Sequence, residues 1–281
     1  MKAVLNQLKL AWLTLTSTQD VQRNIEQIES YLTKLADEDR IDLLVLPEAF
    51  AWLSSDLMAQ SAIIEDLGDR QAPLQSLCAQ WARQLNAYVV AGSLPLRIGG
   101  QVYATLCVFD PTGELITYYR KMHLFSVTTP SGVCYREDQL YREGAVPVVW
   151  HSPWGAIGLA ICYDLRFPAM FRYYAQAGAR LMLLPSAFTK ETGQAHWHSL
   201  VRARAIETQA YWLAVNQVGK HDERLESYGH SLLVDPWGRL LSDSIKQKGV
   251  FTAQIELTQV DQLRQQFPLL NTRPNGLDQV L

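Results

Sequence analysis

Three strand-like runs in this chain end on residues that could do chemistry together. The stretch Gly158-Leu-Ala-Ile-Cys-Tyr-Asp-Leu-Arg-Phe-Pro168 reads as a buried strand that stops at Cys162. A turn follows, then a helix with Pro168 in its first turn, where a missing N–H does no harm. A thiol so placed lies near a helix N-terminus, whose partial positive charge favours thiolate. Glu48 ends the apolar run that starts at Ile41, and Lys121 follows Tyr118, Tyr119 and Arg120. Ligands of α/β sheets collect beyond strand ends. If the three residues converge, a thiolate can attack a carbonyl or nitrile carbon. The carboxylate takes the thiol proton, returns it to the leaving nitrogen, and then deprotonates the water that clears the thioester. The lysine ammonium stabilises the oxyanion. Taken singly, each residue has a plainer reading: a core cysteine, a surface-turn carboxylate, a solvated lysine. His123, two residues past Lys121, is a rival base in a Cys–His scheme.

The elements that must position these groups alternate in kind. Leu8 to Leu15 reads as a strand, and Asp20 caps a helix whose apolar residues Val21, Ile25, Ile28, Leu32 and Leu35 recur at helical spacing. A helix over 72–86 and a strand over Tyr88–Ser93 complete a parallel strand–helix–strand unit. Three turns, Asp110-Pro-Thr-Gly113, Ser152-Pro-Trp-Gly155 and Asp235-Pro-Trp-Gly238, lie between strand-like runs and predict antiparallel hairpins. Parallel units combined with hairpins predict mixed sheets covered by helices rather than a (β/α)₈ barrel. Past Cys162, the pattern predicts a helix over 167–177, a strand over Arg180–Pro185 and a helix over Gln194–Gln209. That last helix has Trp197, Leu200, Val201 and Ile206 as apolar anchors and an Arg204–Glu207 pair. Tyr211–Val218, His230–Val234 and Gly249–Leu257 read as further strands.

Composition narrows the function classes. The 281 residues are 48% hydrophobic and 19% charged with net charge −3, ordinary for a globular protein, and the length permits one large α/β domain or two small ones. No basic patch supports nucleic-acid binding, and no apolar run has membrane-spanning length. The N-terminus reads as a first strand, not a signal peptide. Cys78, Cys107, Cys134 and Cys162 show no C-x-x-C spacing, which predicts a reduced, cytoplasmic setting. His196 and His198 suggest a metal pair, but residues two apart on a helix point to different sides, so no metal is expected. Glycine-rich nucleotide motifs are absent, so nucleotide binding has no support.

The motifs Leu46-Pro-Glu-Ala-Phe50, Tyr119-Arg-Lys-Met-His-Leu-Phe125 and Cys162-Tyr-Asp-Leu-Arg-Phe-Pro168 resemble, in this order, the nitrilase (carbon–nitrogen hydrolase) superfamily. The resemblance covers residues 8 to 276. It implies a four-layer α-β-β-α sandwich in a single domain over 1–281. Glu48 would be the base, Lys121 the oxyanion stabiliser and proton donor, and Cys162 the nucleophile. Glu137 matches a second glutamate that positions the lysine. The resemblance also implies no metal or organic cofactor, and a homodimer in which the C-terminal tail (267–281) packs at the subunit interface. Residues 183–197, 202–209 and 227–231 are similar to the deaminated glutathione amidase branch. That branch hydrolyses the γ-amide of deaminated glutathione to 2-oxoglutarate and cysteinylglycine. It implies that Arg166, Phe188 and Thr192 contact the 2-oxoglutarate part. A guanidinium suits a carboxylate, although Arg166 could instead form a structural ion pair. Residues 126–136 differ from the Asp-rich loop common in the family. ω-Amidase action on 2-oxoglutaramate is the nearest alternative, and a catalytically silent binding scaffold is the non-enzymatic one.

Overall fold

The computed structural model describes residues 4–36 and 40–271. The first half runs β1 (Gln7–Thr14), α1 (Val21–Ala36), β2 (Leu43–Val45), β3 (Glu65–Asp66), α2 (Pro73–Leu85), β4 (Tyr88–Ile98), β5 (Gln101–Phe109) and β6 (Leu115–Arg120). A small hairpin follows, β7 (Ser126–Thr128) and β8 (Cys134–Arg136). The second half runs β9 (Val148–Ser152), β10 (Gly155–Leu159), α3 (Pro168–Gln176), β11 (Leu181–Ser186), α4 (Lys190–Thr208) and β12 (Tyr211–Asn216). It closes with β13 (Val218–Lys220), β14 (Glu226–Tyr228), β15 (Leu232–Val234), β16 (Leu240–Asp243), β17 (Gly249–Glu256) and α5 (Thr258–Gln266).

Among the described residues, one sheet has the order β17-β1-β2-β4-β5-β6 with β3 beside β4, and a second has the order β16-β15-β12-β11-β10-β9. Each has a parallel centre, β1-β2-β4 and β10-β11-β12. Antiparallel pairs flank both. Alternation along the strands sorts the side chains between two cores. Leu8, Leu10 and Trp12 of β1 join Val45, Val90 and Leu106 against Leu159, Leu181 and Leu213 of the other sheet. Ala11 and Leu13 point the other way, onto Ile25, Ile28 and Leu32 of α1 and Trp81 of α2. On the far side, Phe171 and Tyr174 of α3 and Trp197 and Val201 of α4 cover the second sheet. The result is helix, sheet, sheet, helix. Each fully buried Leu or Val in these layers contributes about 1.5–3 kcal/mol relative to exposure.

The three predicted turns all form hairpins. Gly113 donates its N–H to Asp110 O and has φ +82°, a conformation that favours glycine. The register of β5–β6 slips beside this turn, so it is a bulged turn rather than a plain four-residue one. Asp20 accepts the Arg23 N–H and caps α1 as expected.

Three local expectations need correction. α4 begins at Lys190, not Gln194, and runs through Gly193, which is buried in close packing. A Cβ there would lie 2.4 Å from the Tyr228 side chain. Ile206 is not a buried anchor; it is exposed beside the turn at Gly238. Cys134, which by its nearness to Lys121 in the sequence reads as a semi-buried spectator at the site entrance, is exposed. Past Cys162 the expected order holds: a 3-10 turn spans Cys162–Arg166, and α3 starts at Pro168. Of the 267–281 tail, only the part through Asn271 is described, and 272–281 lie outside the described residues. Among the described residues, no helix is long and apolar enough to cross a membrane.

Candidate active site

The two halves bring four of the expected residues together at one end of the facing sheets. Glu48 sits just past β2, where the chain turns through Ala49 at φ +54°. Ser93 Oγ accepts the Ala49 N–H and holds this turn. The close approach needs a glycine on β4, since a Cβ at Gly92 would lie 2.2 Å from Pro47 O. Lys121 leaves β6 fully buried, with its N–H on Ala104 O and its carbonyl accepting the Gly144 N–H. Its ammonium donates to Glu48 Oε1 at 2.8 Å and to both oxygens of Glu137 at 2.9 Å. Glu48 Oε2 accepts the Ala187 N–H at 2.7 Å, and Glu137 Oε2 accepts the Phe125 N–H at 2.8 Å. All three ammonium protons thus have acceptors, and each carboxylate has a second donor.

Cys162 is buried at the start of its turn with φ +44°, a strained conformation for a residue with a side chain. Burial pushes its thiol well above the usual range, and Glu48 adds to this. Lys121 and the Ala187 N–H pull the other way without prevailing. The helix-start charge that favours thiolate is thus outweighed, and the proton-accepting role expected of Glu48 is needed. Burial alone would lower the Lys121 ammonium. Glu137, Glu48 and the Cys162 sulfur more than offset it, so its pKa lies well above the ordinary value and it stays charged. Burial raises the Glu137 carboxyl while Lys121 draws it down.

Asp164 is the residue that sequence reasoning passed over. It is fully buried and accepts from Ile161 N (2.8 Å), Tyr119 Oη (2.8 Å), His123 N (3.1 Å) and His123 Nδ1 (2.7 Å). Tyr119 Oη in turn accepts the Met122 N–H. One carboxylate therefore ties the segment carrying Lys121 to the turn carrying Cys162. The available signal was an acidic residue two positions past a cysteine in an otherwise apolar run. His123 lies against Asp164 and stacks on Phe167 with ring centroids 3.6 Å apart. Its ring is committed there, which speaks against the Cys–His scheme.

A cavity of about 560 Å³ opens above the cluster, lined among others by Glu48, Glu137, Cys162, Tyr141, Arg136 and Arg224. Arg136 is paired with Asp138, whereas the Arg224 guanidinium has no ion pair among the described residues. The Arg224 backbone is fixed by Asp222, which also holds Ser54 and Ser55 across the mouth. A narrow cleft of about 20 Å³ runs from Cys162 past Phe188 and Thr192. Arg166 lines neither space. Its guanidinium lies 5.1 Å over the Phe188 ring and 3.3 Å from His196 Nδ1, with no ion pair among the described residues.

Comparison with known proteins agrees with this layout. The carbon–nitrogen hydrolase family profile matches residues 9–265. A deaminated glutathione amidase of Synechocystis sp. is 36% identical over 270 residues, which is 94% of this chain and 97% of that one. A chloroplastic omega-amidase of Arabidopsis thaliana is 32% identical, covering 95% of this chain and 72% of that one. The structure of Saccharomyces cerevisiae Nit3, a nitrilase-superfamily member, superposes with a TM-score of 0.86 at 26% identity, covering 99% of both chains. With the profile spanning nearly every element that builds the Cys162 cavity, the chain belongs to the carbon–nitrogen hydrolase family.

Proposed function

We propose that this hydrolase is a cysteine-dependent amidase that cleaves the γ-amide of deaminated glutathione, giving 2-oxoglutarate and cysteinylglycine. The carrying observation is the buried Glu48–Lys121–Glu137 cluster sharing one cavity with Cys162. Because the thiol is protonated at rest, attack requires a base. Glu48 takes the Cys162 proton as Sγ bonds to the amide carbon, and the carbonyl oxygen becomes an oxyanion stabilised by Lys121. Collapse breaks the C–N bond while Glu48 returns the proton to the leaving nitrogen. Glu48 then takes a proton from water, and the resulting hydroxide attacks the thioester. The acid departs and Cys162 is reprotonated. The raised pKa of Lys121 favours a role as a fixed charge rather than the proton donor inferred from the family. Glu137 positions it.

The cavity volume and its unpaired Arg224 favour the longer substrate over 2-oxoglutaramate, since deaminated glutathione carries a second carboxylate on its glycine. Phe188 and Thr192 would face the keto-acid end along the narrow cleft. Arg166 can join them only if its guanidinium leaves His196 and the Phe188 ring. Two measurements test the assignment: kcat/KM on both substrates, and mass spectrometry of the acyl-enzyme. Preference for deaminated glutathione, with an adduct on Cys162 that Cys162→Ala lacks, is expected. Equal or greater kcat/KM on 2-oxoglutaramate would transfer the assignment to ω-amidase, and full activity in Cys162→Ala would end it.

The reading includes one domain over 1–281, supported by a core shared between both sheets. It includes a homodimer through the face of α4 and the β15–β16 turn, where Ile206, Trp237 and Phe267 are about half exposed. Trp237→Glu should turn a dimer in light scattering into a monomer. A cytoplasmic setting completes it, supported by four unpaired cysteines.

A further inference from the structure

Away from the reaction cavity, two imidazoles converge on one carboxylate. His198 lies within α4, His230 just ahead of β15, and Asp243 at the end of β16. His198 Nε2 is 3.2 Å from Asp243 Oδ2. His230 Nδ1 is 2.9 Å from Asp243 Oδ1 and 3.0 Å from Oδ2. The three donor atoms lie within 4.8 Å of one another, and all three residues are half-buried, so water can reach them. The surroundings hold them in place. Ile245 N donates to Asp243 Oδ1 at 2.7 Å, and Ile245 O accepts the His230 N–H. The His230 ring stacks on Tyr228 at 4.4 Å, with its backbone at φ +56°. His196, the residue paired with His198 in the sequence, points elsewhere, to Arg166.

We propose that His198 Nε2, His230 Nδ1 and an Asp243 oxygen form a site for a zinc-class divalent cation, with water as the remaining ligand. Bonds of roughly 2.0–2.1 Å in a tetrahedron separate neighbouring ligands by about 3.3–3.4 Å. The two nitrogen–Oδ2 separations here are 3.0 and 3.2 Å, close to that spacing, and all three donor atoms lie within 4.8 Å of one another. Two imidazoles and a carboxylate are the borderline donor set that zinc accepts. Binding releases the protons these ring nitrogens carry toward Asp243. The ion ties α4 to the β15–β16 hairpin. Trp197 of the same helix donates its indole N–H to His230 O at 2.7 Å and packs against Phe188, so the tie lies behind the narrow cleft. The competing account is a proton-only network in which both imidazoles donate N–H to Asp243.

Zinc titration by calorimetry separates the two accounts. The sample is the chelator-treated full chain carrying Cys162→Ala and Cys134→Ser, which removes competing thiols. One saturable site per chain is expected. His198→Ala and Asp243→Asn should each weaken it by at least about tenfold, and zinc should raise the Tm of the parent but not of these variants. Absence of saturable binding, or unchanged affinity in Asp243→Asn, overturns the site. Should either variant fail to fold, NMR of the parent decides. Zinc must shift the ring resonances of His198 and His230 while exposed His151 stays in place. Unmoved His198 and His230 signals overturn the proposal.

Discussion

Lys121→Met tests the central cluster most directly. The lost ammonium is fully buried and donates three hydrogen bonds of 2.8–2.9 Å to Glu48 and Glu137. Without it, two carboxylates face each other with one backbone N–H each, from Ala187 and Phe125. Removing one partner of a buried ion cluster costs about 3–5 kcal/mol. The two carboxylates then share a proton, which raises the folded-state pKa of the pair. The folded state therefore binds more protons than the unfolded one, and the deficit shrinks as pH falls toward the ordinary carboxylate range. Urea unfolding of the variant should show a loss of about 3–5 kcal/mol near neutral pH and a smaller one near pH 5. Glu48→Gln combined with Lys121→Met removes one facing charge and should recover part of the stability. It should recover none of the rate, which is expected to fall by at least about 10²–10³ through loss of the oxyanion partner. A folded Lys121→Met enzyme with kcat within about tenfold of the parent would refute the assigned role. Unchanged stability at neutral pH would refute the electrostatic account of the cluster.

Asp164→Asn cannot accept from all four donors at once, and the misplaced Cys162 turn should lower kcat by about 10–100-fold with little change in KM. His123→Ala leaves three of those donors, so it should keep at least about a tenth of the parent kcat; a larger loss would restore histidine as a base. Arg224→Ala should raise KM about tenfold or more for deaminated glutathione, through loss of a charged hydrogen bond, and leave 2-oxoglutaramate unaffected. An equal effect on both substrates would show that Arg224 does not read the second carboxylate. His221 is buried, donating from Nδ1 to Ser17 O (2.7 Å) and accepting at Nε2 from Ser227 Oγ (2.8 Å). Both contacts suit the neutral ring, and burial lowers its pKa to about 4. The unfolded state therefore binds the extra proton between about pH 6.5 and pH 4, and stability falls across that window by about 3 kcal/mol. His221→Gln should flatten this part of the pH–stability curve; an unchanged slope would refute it.

Much of this layout is legible in the chain because local physics writes it there. Alternation in Leu8, Leu10, Trp12 against Ala11 and Leu13 encodes a strand covered on both faces. Paired Pro and Gly at 111 and 113 encode a hairpin. Carboxylate, amine and thiol at three strand ends, in motifs with a family likeness, pick out Glu48, Lys121, Glu137 and Cys162 as one cluster to test. Sequence is a weaker guide where the deciding neighbour is distant. The apolar spacing starts α4 at Gln194, yet the helix begins at Lys190, and Gly193 in that added turn is where Tyr228 presses against it. Ile206 has the spacing of an anchor but faces outward.

Charge state is the quantity that only the tertiary structure decided. A helix start beside a cysteine favours thiolate. Once Cys162 is enclosed with two carboxylates, desolvation and repulsion outweigh Lys121, and the resting sulfur keeps its proton. The same enclosure keeps Lys121 charged and makes Asp164 the tie between two segments 41 residues apart. The sequence by itself determined which groups are available and which strands carry them, since those depend on composition and local periodicity. The tertiary structure decided how those groups share charge and which face each cavity, since both depend on distances between residues far apart in the chain.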